Sequence, residues 1–127
     1  MVPRELDDGV RIAQLLASEL VGHEGALAGV TVTDADPDVA PTTDGARAYR
    51  VRLDDTALAT VFVHPDRARI EFEAGQETAL DAAPEVGLRV RPKANPPRTI
   101  VFVENGAEVK RALRVVERVV DASAETR

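Results

Sequence analysis

RAYRVRLDDTALATVFVHPDRARIEFE, residues 47–73, decides the fold. Tyr49, Val51 and Leu53 alternate with Arg50 and Arg52, the period of a half-buried strand. Asp54-Asp55 makes a turn. Residues 57–64 are apolar on both faces, as in a central strand. Pro65-Asp66 turns the chain again. Over 69–73, Ile70 and Phe72 point inward while Glu71 and Glu73 point outward. Three strands joined by two tight turns read as an antiparallel meander.

Upstream, Leu6, Val10, Ala13, Leu16, Ala17 and Leu20 recur at spacings of three and four, which predicts a helix over 4–21. Pro3 suits its start, and Gly22 and Gly25 suit its stop. Residues 29–33 alternate as a strand, and 34–45, with two prolines and four aspartates, reads as a loop. Downstream, 75–83 is a short helix or an irregular connection, and 88–91 is a strand. Residues 92–97 hold three prolines and read as a stiff loop or an extended edge. Residues 99–103 form a strand. Asn105-Gly106 opens a last helix to about Ala122, with Val109, Ala112, Leu113, Val116, Val119 and Val120 as its apolar stripe.

The order α-β-β-β-β-(α)-β-β-α predicts one α+β domain over 1–127. It is a two-layer sandwich: a mostly antiparallel sheet with the N- and C-terminal helices packed on one face. The other face shows Arg50, Arg52, Glu71, Glu73, Arg89 and Arg91. Residues 1–3 and 123–127 are expected to fray.

The 127 residues include 16 basic and 22 acidic side chains, net charge −6. There is no cysteine, which excludes disulfide scaffolds, thiolate zinc sites and cysteine nucleophiles. Apolar runs extend only a few residues, against about 20 for a membrane span. Residues 1–8 carry acids and no apolar run, unlike a signal peptide. The expectation is a cytoplasmic protein. Alanine (20) and valine (18) dominate the apolar residues, so the core is built from small side chains. Arginine (14) far outnumbers lysine (2). With the acid excess, that points to a salt-loving organism, because concentrated salt strengthens apolar burial and screens surface acids.

Charge is unevenly distributed. Residues 1–85 carry 7 basic and 17 acidic groups, whereas 86–118 carry 8 basic and 3 acidic. The basic segment supplies Arg89, Arg91, Lys93, Arg98, Lys110 and Arg114 as candidate contacts for an anion or partner. Guanidinium forks match phosphate and carboxylate oxygens, and Lys110, Arg114 and Arg118 share a helix face. The competing reading is internal pairing: Arg50 and Arg52 with Glu71 and Glu73, Arg89 and Arg91 with other acids of the sheet, Arg114 with Glu117, and Arg118 with Asp121.

Other motifs point to no chemistry. Phe62 and Phe102, scarce large apolar side chains, are assigned to the core; facing the arginines instead, they could stack bases. Asp34, Asp36 and Asp38 have calcium-loop spacing, but Val39 and Gly45 stand where glycine and glutamate belong, leaving a hydrated acidic loop. His64-Pro65-Asp66 matches the tripeptide of J-domain co-chaperones, but strands flank it here. His64 ends a strand and could act as a general base, yet no serine-histidine-acid set accompanies it. Two scattered histidines make no zinc site, and no phosphate-binding glycine motif occurs. No catalytic residue, metal or cofactor is assigned.

YRVRLDD, HPDRARIEF, GLRVRPKANPPRTIVFVE and VKRALRVVERVV together resemble a small uncharacterised protein family of halophilic archaea, over most of the chain. The resemblance implies a cytoplasmic setting and no activity, and carries over no functional residue. The expected function is a non-enzymatic binding module. Its partner is an acidic protein surface, a second copy in a homodimer, or nucleic acid. The alternative is a small enzyme with acid-base chemistry near His64.

Overall fold

The computed structural model describes residues 8–22 and 27–125. The meander forms as its alternation dictates. Strands β2 (Ala46–Leu53), β3 (Thr56–Val63) and β4 (Ala68–Phe72) pair antiparallel. β1 (Val30–Thr33) joins on the outer side of β2. β5 (Val90–Ala94) and β6 (Pro97–Val103) form a hairpin whose second strand pairs with β4. The six strands lie in the order β1-β2-β3-β4-β6-β5, antiparallel at every pairing. The proline-rich stretch thus takes the extended-edge form. Pro92 sits within the edge strand β5, where a missing N–H is tolerated.

Three helices cover one face: α1 (Gly9–Gly22), α2 (Gln76–Glu85) and α3 (Glu108–Glu125). α3 packs against both α1 and α2. Their buried stripes meet Val51, Val61, Val63, Ile70, Phe72, Val101 and Val103 in one continuous core. The architecture is the α+β sandwich expected, with 75–83 resolved as α2.

Boundaries moved for identifiable reasons. α1 begins at Gly9 because Asp8 caps it, its carboxylate accepting from the backbone N–H groups of Val10 (3.0 Å) and Arg11 (3.3 Å). Residues 4–7 of the expected helix, and 1–3 expected to fray, lie outside the described residues. A side chain at position 9 would collide with the carbonyl oxygens of His64 and Arg67, so glycine lets the helix start against that turn. Tyr49 ties the two layers together, its hydroxyl donating to the Ala13 carbonyl of α1 at 2.7 Å. Burial pushes its phenol well above the ordinary range. Two side-chain hydrogen bonds close the start of α3. Asn105 accepts from the Glu108 N–H (3.1 Å), and the Glu108 carboxylate accepts from the Glu104 N–H (2.8 Å). It runs past the expected stop at Ala122 to Glu125, since neither Ala124 nor Glu125 disfavours a helix; residues 126–127 lie outside the described residues.

Two bulges interrupt the β2–β3 pairing. Register slips between Arg47 and Tyr49, and between Val51 and Arg52. They leave Ala48 on β2 and Leu58 on β3 as extra residues, both buried in the core. The first slip turns Arg47 away from the face that Tyr49 occupies.

Candidate functional site: the open face of the sheet

Residues directly opposite across antiparallel strands share a face. The pairs Arg47↔Phe62, Phe62↔Arg69 and Arg69↔Phe102 therefore draw one row across β2, β3, β4 and β6 on the side away from the helices. Arg89, whose carbonyl accepts from the Phe102 N–H (3.0 Å), ends the row. A second row runs Arg50, Thr60, Glu71, Ile100, Arg91. Beyond it lie Arg98 and Lys93, paired across the β5–β6 hairpin.

The phenylalanines correct the sequence expectation. Phe62 and Phe102 both lie outside the helix-side core cluster and are covered by cations, though Phe102 is still buried, at 7% exposed. The Arg69 guanidinium lies 4.4 Å from the Phe62 ring centroid. Phe102 has Arg89 at 4.8 Å and Arg67 at 5.9 Å. The flanking residues Val61, Val63, Val101 and Val103 belong to the core, so strand alternation forces the intervening rings outward. The helix-side core is filled by alanine, valine, leucine and isoleucine, with Tyr49 and Phe72 as its aromatic members.

Arg69 is the fixed centre of this face. Its Nε donates to Glu71 Oε2 at 2.8 Å, and its Nη1 donates to the Asp44 carbonyl and to His64 Nε2, both at 2.8 Å. The ion pair is largely buried, with the Arg69 and Glu71 side chains 16% and 8% exposed. Gly45, at φ 95°, leaves room for it, since a Cβ there would strike the guanidinium.

His64 is 4% exposed. Because a guanidinium can only donate, its Nε2 is the acceptor, and Nδ1–H donates to the Thr43 carbonyl (2.9 Å). Burial, reinforced by Arg67 and Arg69, lowers its pKa, while the Thr43 hydrogen bond and Asp66 oppose the shift. Both ring nitrogens of this candidate general base are thus engaged, and the ring is held neutral. Among the described residues no group of three or more histidine, aspartate or glutamate side chains is arranged to hold a metal ion.

The predicted anion-contact residues divide between two surfaces. Arg89, Arg91, Lys93 and Arg98 lie on the open face or its β5 edge. Lys110 and Arg114 sit on α3 beside Glu19 and Glu117, in the helix layer, so they do not extend the Arg89–Arg98 surface. Pairing is partial. Arg89 meets Glu104, Arg98 approaches Glu73 at 3.9 Å, and Arg50 approaches Asp34 at 3.9 Å. Arg118 reaches Glu85 of α2 at 3.5 Å rather than Asp121. Arg47, Arg91 and Lys93 have no carboxylate within 4.0 Å among the described residues. Arg47, Phe62, Arg69 and Phe102 were not assigned to the site from sequence. The V-F-V alternation around each phenylalanine was the available signal.

Fold and surface together define an α+β protein with a helix-covered core and an arginine-lined open sheet. The chain belongs to a family of unknown function, DUF7993, whose family model matches residues 1–127. No curated protein and no solved structure matches it significantly. No described helix is long and apolar enough to cross a membrane.

Proposed function

We propose that this protein is a non-enzymatic binding module whose open sheet face contacts an anionic partner. The observation that carries this reading is that Arg47, Arg91 and Lys93 have no carboxylate within 4.0 Å among the described residues, on a face where other arginines lie over Phe62 and Phe102. In a chain of net charge −6, a cation-rich face attracts what the rest of the molecule repels. The partner is an acidic protein surface, a second copy of this chain, or nucleic acid. A second copy would join through a sheet edge, β1 being the one without a proline, since a strand edge accepts another strand. The acid excess and the arginine bias support a cytoplasmic role in a salt-loving archaeon.

The test is amide chemical-shift mapping of the full chain against linear polyphosphate. Shifts are expected at Arg91, Lys93, Arg47 and their strand neighbours, with none at Lys110 or Arg114. Shifts confined to α3, or no shifts at low salt, would overturn the reading.

A further inference from the structure

Resting on that anion-binding reading, we infer that the occupant of the open face is a single-stranded nucleic acid, with a base stacked on the Arg89 guanidinium and phosphates held by Arg91 and Lys93. Arg89 carries the argument. A guanidinium offers two kinds of surface: an edge of N–H donors that suits oxygens, and a planar face that suits π-systems. At Arg89, Nη1 donates to Glu104, and the guanidinium carbon lies over Phe102, 4.8 Å from the ring centroid. The side chain is nevertheless 63% exposed. With Phe102 on one side, that exposure leaves the other side of the guanidinium open to a second ring.

A carboxylate has no use for that face, because it binds guanidinium through the edge. A nucleobase has, because bases unstacked from a single strand pack on aromatic rings and on arginine planes. Backing by Phe102 holds the plane in place before any ligand arrives, so little conformational freedom is lost on stacking. Arg91 and Lys93 come at every second position on the same side of the chain, each about 7 Å further along. Both are exposed, and neither has a carboxylate within 4.0 Å among the described residues. One stacking plane followed by two free cations matches a strand of bases and phosphates running along β5. A duplex keeps its bases stacked on one another and offers the plane nothing.

Fluorescence anisotropy of the full chain tests this at low salt and then in molar KCl. The probes are a short mixed-sequence single strand, its duplex, an abasic strand of equal length, linear polyphosphate and polyglutamate. The single strand is expected to bind about tenfold tighter than the abasic strand, and tighter than the duplex. Arg89→Lys keeps the charge and removes the plane. It should remove most of that preference while leaving polyphosphate binding unchanged. Arg91→Gln should weaken single strand and polyphosphate alike, and shrink the slope of log affinity against log salt by about 0.7. Equal binding of abasic strand and single strand, or an unmoved preference in Arg89→Lys, would overturn the nucleic-acid inference and leave the anion surface standing. A preference for polyglutamate would do the same. Failure to bind any of these polyanions would overturn both.

Discussion

Replacing Arg69 with methionine keeps an unbranched stem over Phe62 and deletes the guanidinium. Three acceptors then lose their donor: the Glu71 carboxylate, the Asp44 carbonyl and His64 Nε2. The carboxylate dominates, because its side chain is only 8% exposed and a buried charge without a partner is poorly solvated. Removing one member of a buried pair costs about 3–5 kcal/mol, and the residual exposure of both partners puts this pair at the lower end, about 3 kcal/mol. Unfolding entropy for a chain of this length is roughly 0.27 kcal/mol/K, so Tm should fall by about 11 °C. Urea unfolding followed by circular dichroism measures the loss directly. The double variant Arg69→Met/Glu71→Leu removes the stranded charge and should recover a large part of it, since well-packed apolar replacement of a buried pair is often close to neutral. A single-variant loss below about 1 kcal/mol would place the pair with weak surface bridges. A double variant no more stable than the single would show that the stranded carboxylate is not the source of the cost.

Three further outcomes concern the same face and its supports. Because folding lowers the His64 pKa, the folded state binds that proton less readily than the unfolded chain. Stability is therefore full above about pH 6.5 and declines as pH falls below it. Urea midpoints between pH 5 and 6.5 should show this decline, and His64→Gln should flatten it; an identical slope in both proteins would rule out His64 as its source. Gly45→Ala combines a left-handed φ of 95° with a clash against Arg69 and should cost about 1–3 kcal/mol in the same assay, where a neutral result would contradict the close approach. Asp8→Ala removes the α1 cap and should cost about 1 kcal/mol, with Asp8→Asn close to wild type by thermal melt.

Much of the fold was legible because period-2 alternation in β2 and β4 and the 3.6-residue stripe of α3 are direct images of a one-sided core. The faces of Phe62 and Phe102 were equally legible, since each stands between two valines in a strand. Their faces were misassigned by an argument from scarcity: a chain with few large apolar residues was expected to set them all against the helices, whereas Phe102 is buried on the open side. The helices instead fill the core with alanine, valine and leucine, and arginine stems and guanidinium planes cover the displaced rings. Arg47 was hidden for a different reason. Strict alternation puts it with Tyr49, and only the extra residue at Ala48 turns it outward; a bulge leaves no mark in a run of alternating residues. Lys110 and Arg114 were grouped with Arg89–Arg98 because they are near in sequence. The helix that carries them packs on the opposite side of the sheet.

Edge protection is a competing account of the same cations. β5 is an edge strand, and proline together with charged side chains blunts such edges against pairing with another chain. Pro92, Arg91 and Lys93 fit that role as they stand. Lysine is a common edge guard, so Lys93 alone does not decide between the two accounts. Arginine at 91 is less readily explained by the edge, in a chain where 22 of 38 charged side chains are acidic. Nor does edge protection reach Arg47, on the far side of the sheet beside β1, or call for a guanidinium plane set over Phe102. What unites Arg47, Arg89, Arg91 and Lys93 is the face they share, so a ligand laid on that face accounts for them more completely than an edge kept clear. The two accounts also part experimentally. Arg91→Glu/Lys93→Glu preserves edge charge and should leave the protein as free of aggregation as before by light scattering, while reversing the attraction that the open face exerts on polyphosphate.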